Sequence, residues 1–399
     1  MAGVRDRILV LFAVVMLLLL PVLPAGAVPA PEVQAAAAVL MEADTGQILY
    51  AKNPDAGMYP ASTTKVLTAL VVLERCRLDE RVSVPPGFPG IDGQAIYVRP
   101  GETFTVRELL YALLVHSAND AALLLAEHTA GSVPAFARLM NEKAQELGAR
   151  HSHFVSPHGL PDANHYTTAR DLALIARAAM QNPIFRQIVA TRNHVLPPRP
   201  DPEALRHLWN TNKLLWQYEG ANGVKTGYTT QARQCLVASA RRGDRELLAV
   251  LLRSEGNNIW TDAKTLLDYG FEGFTRSEIV SRGRHVARVE VAYGRRDVEL
   301  VTAASFSRCF PAGTSPGISW DVRIPRVPEA PVRRGQQVGE LVFYGDGKRL
   351  GSVPLLAAAD VPRAVWASWW FWTGVAGGGF LLVRYHNRKR REKFLFRRR

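Results

Sequence analysis

Cysteine is almost missing from this chain. Cys76, Cys235 and Cys309 are the only three in 399 residues, an odd number set far apart. That excludes a disulfide-stapled scaffold and permits at most one internal disulfide. No pair stands at metal-ligand spacing, and neither a metal nor any other cofactor is expected. Internal repeats and low-complexity tracts are also lacking. The body of the chain has no basic cluster interleaved with aromatics, which removes the usual basis for nucleic-acid binding. What is left is 47% hydrophobic and 21% charged, neither disordered nor fibrous, and long enough for two domains.

The net charge of +13 points to an acidic partner until it is located along the chain. Residues 384–399 hold nine Lys or Arg against Glu392, which accounts for +8. Arg5, Asp6 and Arg7 add +1, and only +4 is spread over the remainder. The two ends are thus special. Residues 1–27 have the make-up of a secretory signal peptide: basic Arg5 and Arg7, an apolar run over 8–20, and Ala25-Gly26-Ala27 as a small-residue cleavage site. At the other end, residues 364–383 carry no charge, and Trp366, Trp369, Trp370 and Trp372 crowd the first half. Twenty residues of helix at about 1.5 Å each cover the roughly 30 Å hydrocarbon core, so this stretch is expected to be a transmembrane anchor. The basic tail 384–399 then stays cytoplasmic and everything before 364 outside, on a single-pass cell-membrane protein.

Between the ends the pattern changes near Phe274. Upstream, strands are expected at 38–41 and 47–50 around the Asp44-Thr45-Gly46 turn, and helices at 62–75, 106–130, 133–147 and 168–180. A strand pair at 235–240 and 247–252 and a closing helix at 259–269 follow. Strands at both ends with helices between them predict an α+β domain over 28–273, one antiparallel sheet packed with a helical region. Downstream, alternation at Val289, Val291 and Tyr293, with turns at Gly294-Arg295-Arg296 and Asp346-Gly347, predicts a small β-sandwich over 274–359. It carries no cluster of reactive residues, so it reads as a spacer or contact module.

Three short motifs in the first domain carry chemistry, and each occurs once. Ser62-Thr63-Thr64-Lys65 puts a hydroxyl and an amine on one face at the start of an apolar helix. A serine needs a neighbouring base, and a buried lysine near another cation has the depressed pKa for that role. The plain structural reading is a helix cap followed by a solvated lysine. Ser117-Ala118-Asn119 falls at a bend between two helices, where a hydroxyl could pass a proton and a carboxamide hold a substrate amide, or where either could simply cap a helix. Lys225-Thr226-Gly227 stands just ahead of the strand pair; a charge and a hydroxyl suit a carboxylate, and the glycine is expected to let a substrate backbone approach the strand edge. The alternative there is an ordinary surface strand.

In the order Ser-x-x-Lys, Ser-x-Asn, Lys-Thr-Gly, the chain resembles the penicillin-binding D-alanyl-D-alanine carboxypeptidases. Ala43-Asp44-Thr45-Gly46, His116 through Ala122, Pro157-His158-Gly159-Leu160-Pro161 and Val224 through Thr229 also look like that family. The resemblance implies a β-lactamase/transpeptidase-like fold and an enzyme that removes the terminal D-alanine from peptidoglycan stem peptides, with β-lactams as inhibitors. It implies Ser62 as acyl-enzyme nucleophile, Lys65 as its proton acceptor and Ser117 in the relay. Asn119 would orient the substrate, Lys225, Thr226 and Gly227 would bind its terminal carboxylate region, and the N–H groups of Ser62 and Tyr228 would form the oxyanion hole. One departure is Ala232-Arg233, where the family usually has Ala-Gly; a bulky cation there puts substrate preference in question. Rival readings are a peptidoglycan endopeptidase and a non-hydrolytic penicillin-binding wall module. A β-lactamase would need a Glu-x-x-x-Asn loop that the sequence lacks.

Overall fold

Strand β1 (Ala37–Glu42) is buried along its whole length, which requires cover on both faces and a partner on each edge. It has all four. A computed structural model describes residues 29–196, 206–314 and 316–396, with side chains as far as 390. In it β1 lies inside an antiparallel five-stranded sheet with β2 (Ile48–Lys52), β3 (Ala221–Thr229), β4 (Arg233–Arg242) and β5 (Arg245–Ser254), in the order β2-β1-β5-β4-β3. The register sets Val39 opposite Val250 and Lys225 opposite Val237. Strand β3 is therefore an edge, and it carries Lys225-Thr226-Gly227 within it. The motif stands ahead of the strand pair as expected, and it lies within a third strand of the same sheet, whose buried side chains sit against the helices.

The helical region consists of α1 (Lys65–Arg75), α2 (Val106–Leu114), α3 (Asn119–Ala130), α4 (Val133–Glu146), α5 (Ala169–Gln181) and α6 (Pro183–Ala190). Helix α1 is buried from Lys65 to Val72 and runs through the middle of the apolar core. Helix α2 starts at a reciprocal cap, Thr105 accepting from the Glu108 N–H while Glu108 accepts from the Thr105 N–H. The closing helix α7 (Asn258–Gly273) covers β5, approaching so closely that a Cβ on Gly270 would meet Leu247 at 2.6 Å and Leu40 at 2.7 Å. The expected helix from Ser62 opens as a 3-10 turn over Ala61–Thr64. The helical run over 106–130 is broken at 115–118, at the bend expected for Ser117-Ala118-Asn119, where Ser117 takes φ +68°.

The chain separates into two units, the first reaching Thr275 and including 311–314. The second is β-rich: a five-stranded antiparallel sheet of β6 (His285–Val289), β7 (Val298–Thr302), β8 (Ile318–Arg323), β9 (Gln337–Gly345) and β10 (Lys348–Ala357), in the order β6-β7-β10-β9-β8. A two-stranded ladder of Phe274–Val280 with Phe306–Pro311 accompanies it, and Phe306 stacks on Phe343 with ring centroids 4.6 Å apart. Asp346 and Gly347, at φ +49° and +77°, make the two-residue turn joining β9 to β10.

Residues 365–367 form a short 3-10 turn and helix α8 (Trp369–Phe396) continues unbroken into the basic tail. Among the described residues no helix is long and apolar enough to cross a membrane. The transmembrane span expected at 364–383 is corrected accordingly: its tryptophans and the glycines 374 and 377–379 dilute the apolar content that its lack of charge suggested. The expected signal peptide, 1–27, lies outside the described residues.

Candidate active site

The tight turn at Ala61–Thr64 is what joins the first motif. In a 3-10 turn residues i and i+3 eclipse one another, so Lys65 lies directly over Ser62, and its Nζ is 2.8 Å from Ser62 Oγ. Ser62 makes no side-chain cap, and Lys65 is fully buried, which disposes of the cap-and-solvated-lysine alternative. Ala61, at φ +49°, sets the turn. Non-glycine residues in that region cost on the order of 1 kcal/mol and persist where their surroundings hold them. The surroundings here are dense. A Cβ on Gly159 would fall 1.9 Å from the Ala61 carbonyl oxygen, and the Thr64 hydroxyl donates to that same oxygen at 2.8 Å.

The loop 156–160 is pinned in turn. Thr68 Oγ1 donates to Pro157 O at 2.6 Å, and His165 Nδ1 accepts from the Val155 N–H at 3.1 Å. That assigns the hydrogen of His165 to Nε2, which faces Thr64 Oγ1 at 2.9 Å. Burial pushes His165 down to about 4 and, helped by Lys65, His158 to about 3, so both rings are neutral supports.

Around Lys65 Nζ stand three oxygens: Ser62 Oγ, Asn119 Oδ1 at 2.6 Å and the His158 carbonyl at 2.9 Å. Burial, and then the charge of Lys225, hold Lys65 well below the usual lysine range, with Asp120 opposing. A neutral amine has two hydrogens and one lone pair. The carboxamide oxygen and the carbonyl can only accept, so both hydrogens go to them and the lone pair is left for the Ser62 hydroxyl. Asn119 is oriented for this by its own Nδ2, which donates to Asp92 O at 2.6 Å. Beside it the Asp120 carboxylate accepts from the N–H groups of Ile96 and Val98, fastening the 92–98 loop to the start of α3.

Lys225 is also buried, and burial lowers it to about 7. Thr226 shares a 2.5 Å hydrogen bond with Thr211, a residue that no sequence motif marks. Gly227 has a task that the sequence does not show. A Cβ there would stand 2.8 Å from the Ser62 nitrogen and 3.0 Å from the Thr63 nitrogen, so the glycine lets β3 lie against the nucleophile's turn.

A cleft of about 440 Å³ opens over these groups, lined by Ser62, Ser117, Asn119, Thr226, Gly227 and the exposed Tyr228. Gln94, Thr211, Lys213, Asn257 and Trp260 also line it, none of them legible from motif spacing. All eight residues marked by sequence thus converge, though Lys65 and Lys225 lie beneath the cleft surface and Ser117 shares no hydrogen bond with either among the described residues. Arg233 stays out of it: its side chain reaches Glu255, 3.5 Å away, over solvent. Its φ of +56° explains why glycine suits the position.

A base-activated serine with a buried lysine pair suits acyl transfer, and comparison with known proteins agrees. Residues 25–256 match the D-alanyl-D-alanine carboxypeptidase family, and residues 274–363 match the C-terminal domain of penicillin-binding protein 5. The D-alanyl-D-alanine carboxypeptidase DacF of Bacillus subtilis is 33% identical over 83% of this chain and 87% of its own length. The D-alanyl-D-alanine carboxypeptidase DacB2 of Mycobacterium tuberculosis is 39% identical over 62% of this chain and 86% of its own. The crystal structure of penicillin binding protein 5 from Haemophilus influenzae superimposes with a TM-score of 0.73 at 30% identity, covering 84% of this chain and all of that one. With its nucleophile motif, its sheet and its β-rich second unit all matched, the chain belongs to the D-alanyl-D-alanine carboxypeptidase family of low-molecular-weight penicillin-binding proteins.

Proposed function

We propose that Ser62 performs the reaction through an acyl-enzyme, with Lys65 as its base. The enzyme is a serine-type D-Ala-D-Ala carboxypeptidase of peptidoglycan stem peptides, and the observation that carries the assignment of roles is the saturated environment of Lys65 Nζ. Ser62 Oγ attacks the carbonyl between the two D-alanines while its proton passes to the Lys65 lone pair. The N–H groups of Ser62 and of Tyr228, on the edge strand, receive the developing oxyanion. When the tetrahedral adduct collapses, the C–N bond breaks and the departing amine takes the proton from Lys65, with the Ser117 hydroxyl turning to hand it on. Water then attacks the ester, returns a proton to Ser62 and releases the shortened peptide as a carboxylate. Lys225 in its charged form, with the hydroxyl of Thr226, holds the terminal carboxylate, and Asn119 holds the peptide amide. A β-lactam follows the same first step, but its amine stays tethered after ring opening, so the ester persists. Mass spectrometry of a pentapeptide stem incubated with the protein tests the reading: loss of one D-alanine is expected, and cleavage elsewhere in the stem overturns it.

Attachment to the outer face of the cell membrane, after export on the N-terminal segment, is the second part of the proposal. Its support is the exposed apolar surface of α8 and the turn before it, Trp366, Trp369, Trp370, Trp372, Phe380 and Leu381, followed by a strongly basic tail. A chain ended at Pro362 should remain in the soluble fraction and still react with penicillin, whereas the full chain sediments with vesicles containing anionic lipid.

A further inference from the structure

Helices α1 and α3 are tied together at their beginnings by Lys65 and Asn119, and the side chains gathered at their other ends have no part in that chemistry. Cys76 follows the last residue of α1, His128 sits in the last turn of α3, and Glu80 lies in the loop between α1 and the short strand Arg81–Ser83. The Cys76 sulfur, a Glu80 oxygen and a His128 nitrogen all lie within 4.8 Å of one another, and His128 Nε2 is 2.9 Å from Glu80 Oε2.

We propose that Cys76, Glu80 and His128 form a binding site for a divalent metal of the zinc class, which staples the C-terminal ends of α1 and α3. The donor set of one sulfur, one imidazole nitrogen and one carboxylate oxygen is the kind zinc takes, with a fourth position left to water. Ligands at about 2.0–2.3 Å from a tetrahedral ion stand about 3.5 Å apart. The three atoms, none more than 4.8 Å from another, reach that spacing by side-chain adjustment, with the Glu80–His128 pair opening from 2.9 Å. Two further observations favour a cation here. Both helices direct the negative ends of their dipoles at the spot. Glu80 is also held from behind, its other oxygen accepting from the Arg77 N–H at 2.9 Å. Such outer contacts orient metal ligands. The Cys76 thiol gives its proton to solvent on binding, and the part-exposed His128 and Glu80 leave a path for the ion. Arg75 and Arg77 flank the site, and the ligands offset their charge: thiolate and carboxylate against one divalent ion leave the centre neutral.

The probe is cobalt(II) added to the purified, reduced, metal-free full chain in detergent. One equivalent should bind with a thiolate-to-cobalt charge-transfer band in the near ultraviolet, zinc should abolish that band, and zinc should raise the melting temperature. Cys76→Ser should lose the band, and His128→Gln should weaken binding at least about tenfold, with near-ultraviolet circular dichroism confirming that each variant is folded. If Cys76→Ser does not fold, His128→Gln alone decides. Binding without a charge-transfer band, a band that survives both substitutions, or no binding at all would overturn the site.

Discussion

The two units bury different things. In the first, fully buried polar or charged side chains include Lys65, Asn119, Asp120, Asp171, Lys225 and Glu246; in the second, Thr302 is the only one among the described residues. The second unit's interior is otherwise Val, Leu, Ala and Phe with one thiol, Cys309. Buried polar groups are costly unless each finds partners, and the first unit maintains a costly arrangement in which two amines are stripped of water, one of them 2.8 Å from the Ser62 hydroxyl. What the contrast teaches is where reactivity comes from. Ser62 and Lys65 are ordinary residues; their desolvation and crowding make them a nucleophile and a base, and the second unit has no counterpart to that environment.

The largest effect should come from removing the nucleophile. Ser62→Ala is expected to abolish both the penicilloyl adduct, read by intact-protein mass spectrometry, and D-alanine release; wild-type release from that variant would end the comparison. Lys65→Ala should slow acylation by at least about a hundredfold, the lower end of a positioned base's contribution, measured under single-turnover conditions. Gly227→Ala forces a Cβ onto the Ser62 and Thr63 nitrogens, which are backbone and cannot turn aside. Acylation should fall about ten- to a hundredfold, because displacing the turn by even part of an ångström misaligns attack, while circular dichroism stays native.

The pH dependence is subtler and has two signs. Lys65 acts when neutral, and its lowered pKa means activity falls only as acid protonates it. Lys225 acts when charged, and in the free enzyme that charge is lost as pH rises through about 7. KM for an anionic stem peptide should therefore climb several-fold above neutrality, with kcat less affected, in a steady-state pH series; a KM flat to pH 9 would remove Lys225 from carboxylate binding. The smallest effect belongs to the second unit. A chain ended near Thr275 should be acylated by penicillin at close to the full-length rate, even with a lower melting temperature.

Much of this was legible beforehand, and the reasons are local. An amine three residues after a hydroxyl, a polar Ser-x-Asn interrupting an apolar helical run and a Lys-Thr-Gly before a strand pair are patterns within one or two turns of chain. The extent of the strand containing Lys225 was not legible, because Asn222, Gly223 and Gly227 interrupt the apolar alternation by which a strand is recognised. The close approach at Gly227 was not legible either, since nothing in its neighbourhood reveals that a turn 165 positions earlier lies against it. The C-terminal segment suggested a span by its lack of charge, yet among the described residues no helix is long and apolar enough to cross a membrane.

By itself, then, the sequence determined which residues are chemically able to act and which short segments present them, since periodicity and i to i+3 spacing are properties of a few consecutive residues. Only the tertiary structure decided their condition. Lys65 becomes a base because Asn119 and the His158 carbonyl, 54 and 93 positions away, close over it and exclude water, and Thr211 joins Thr226 across a loop that no motif spans. Desolvation depends on everything that packs around a group, and packing is set by contacts between segments distant in the chain.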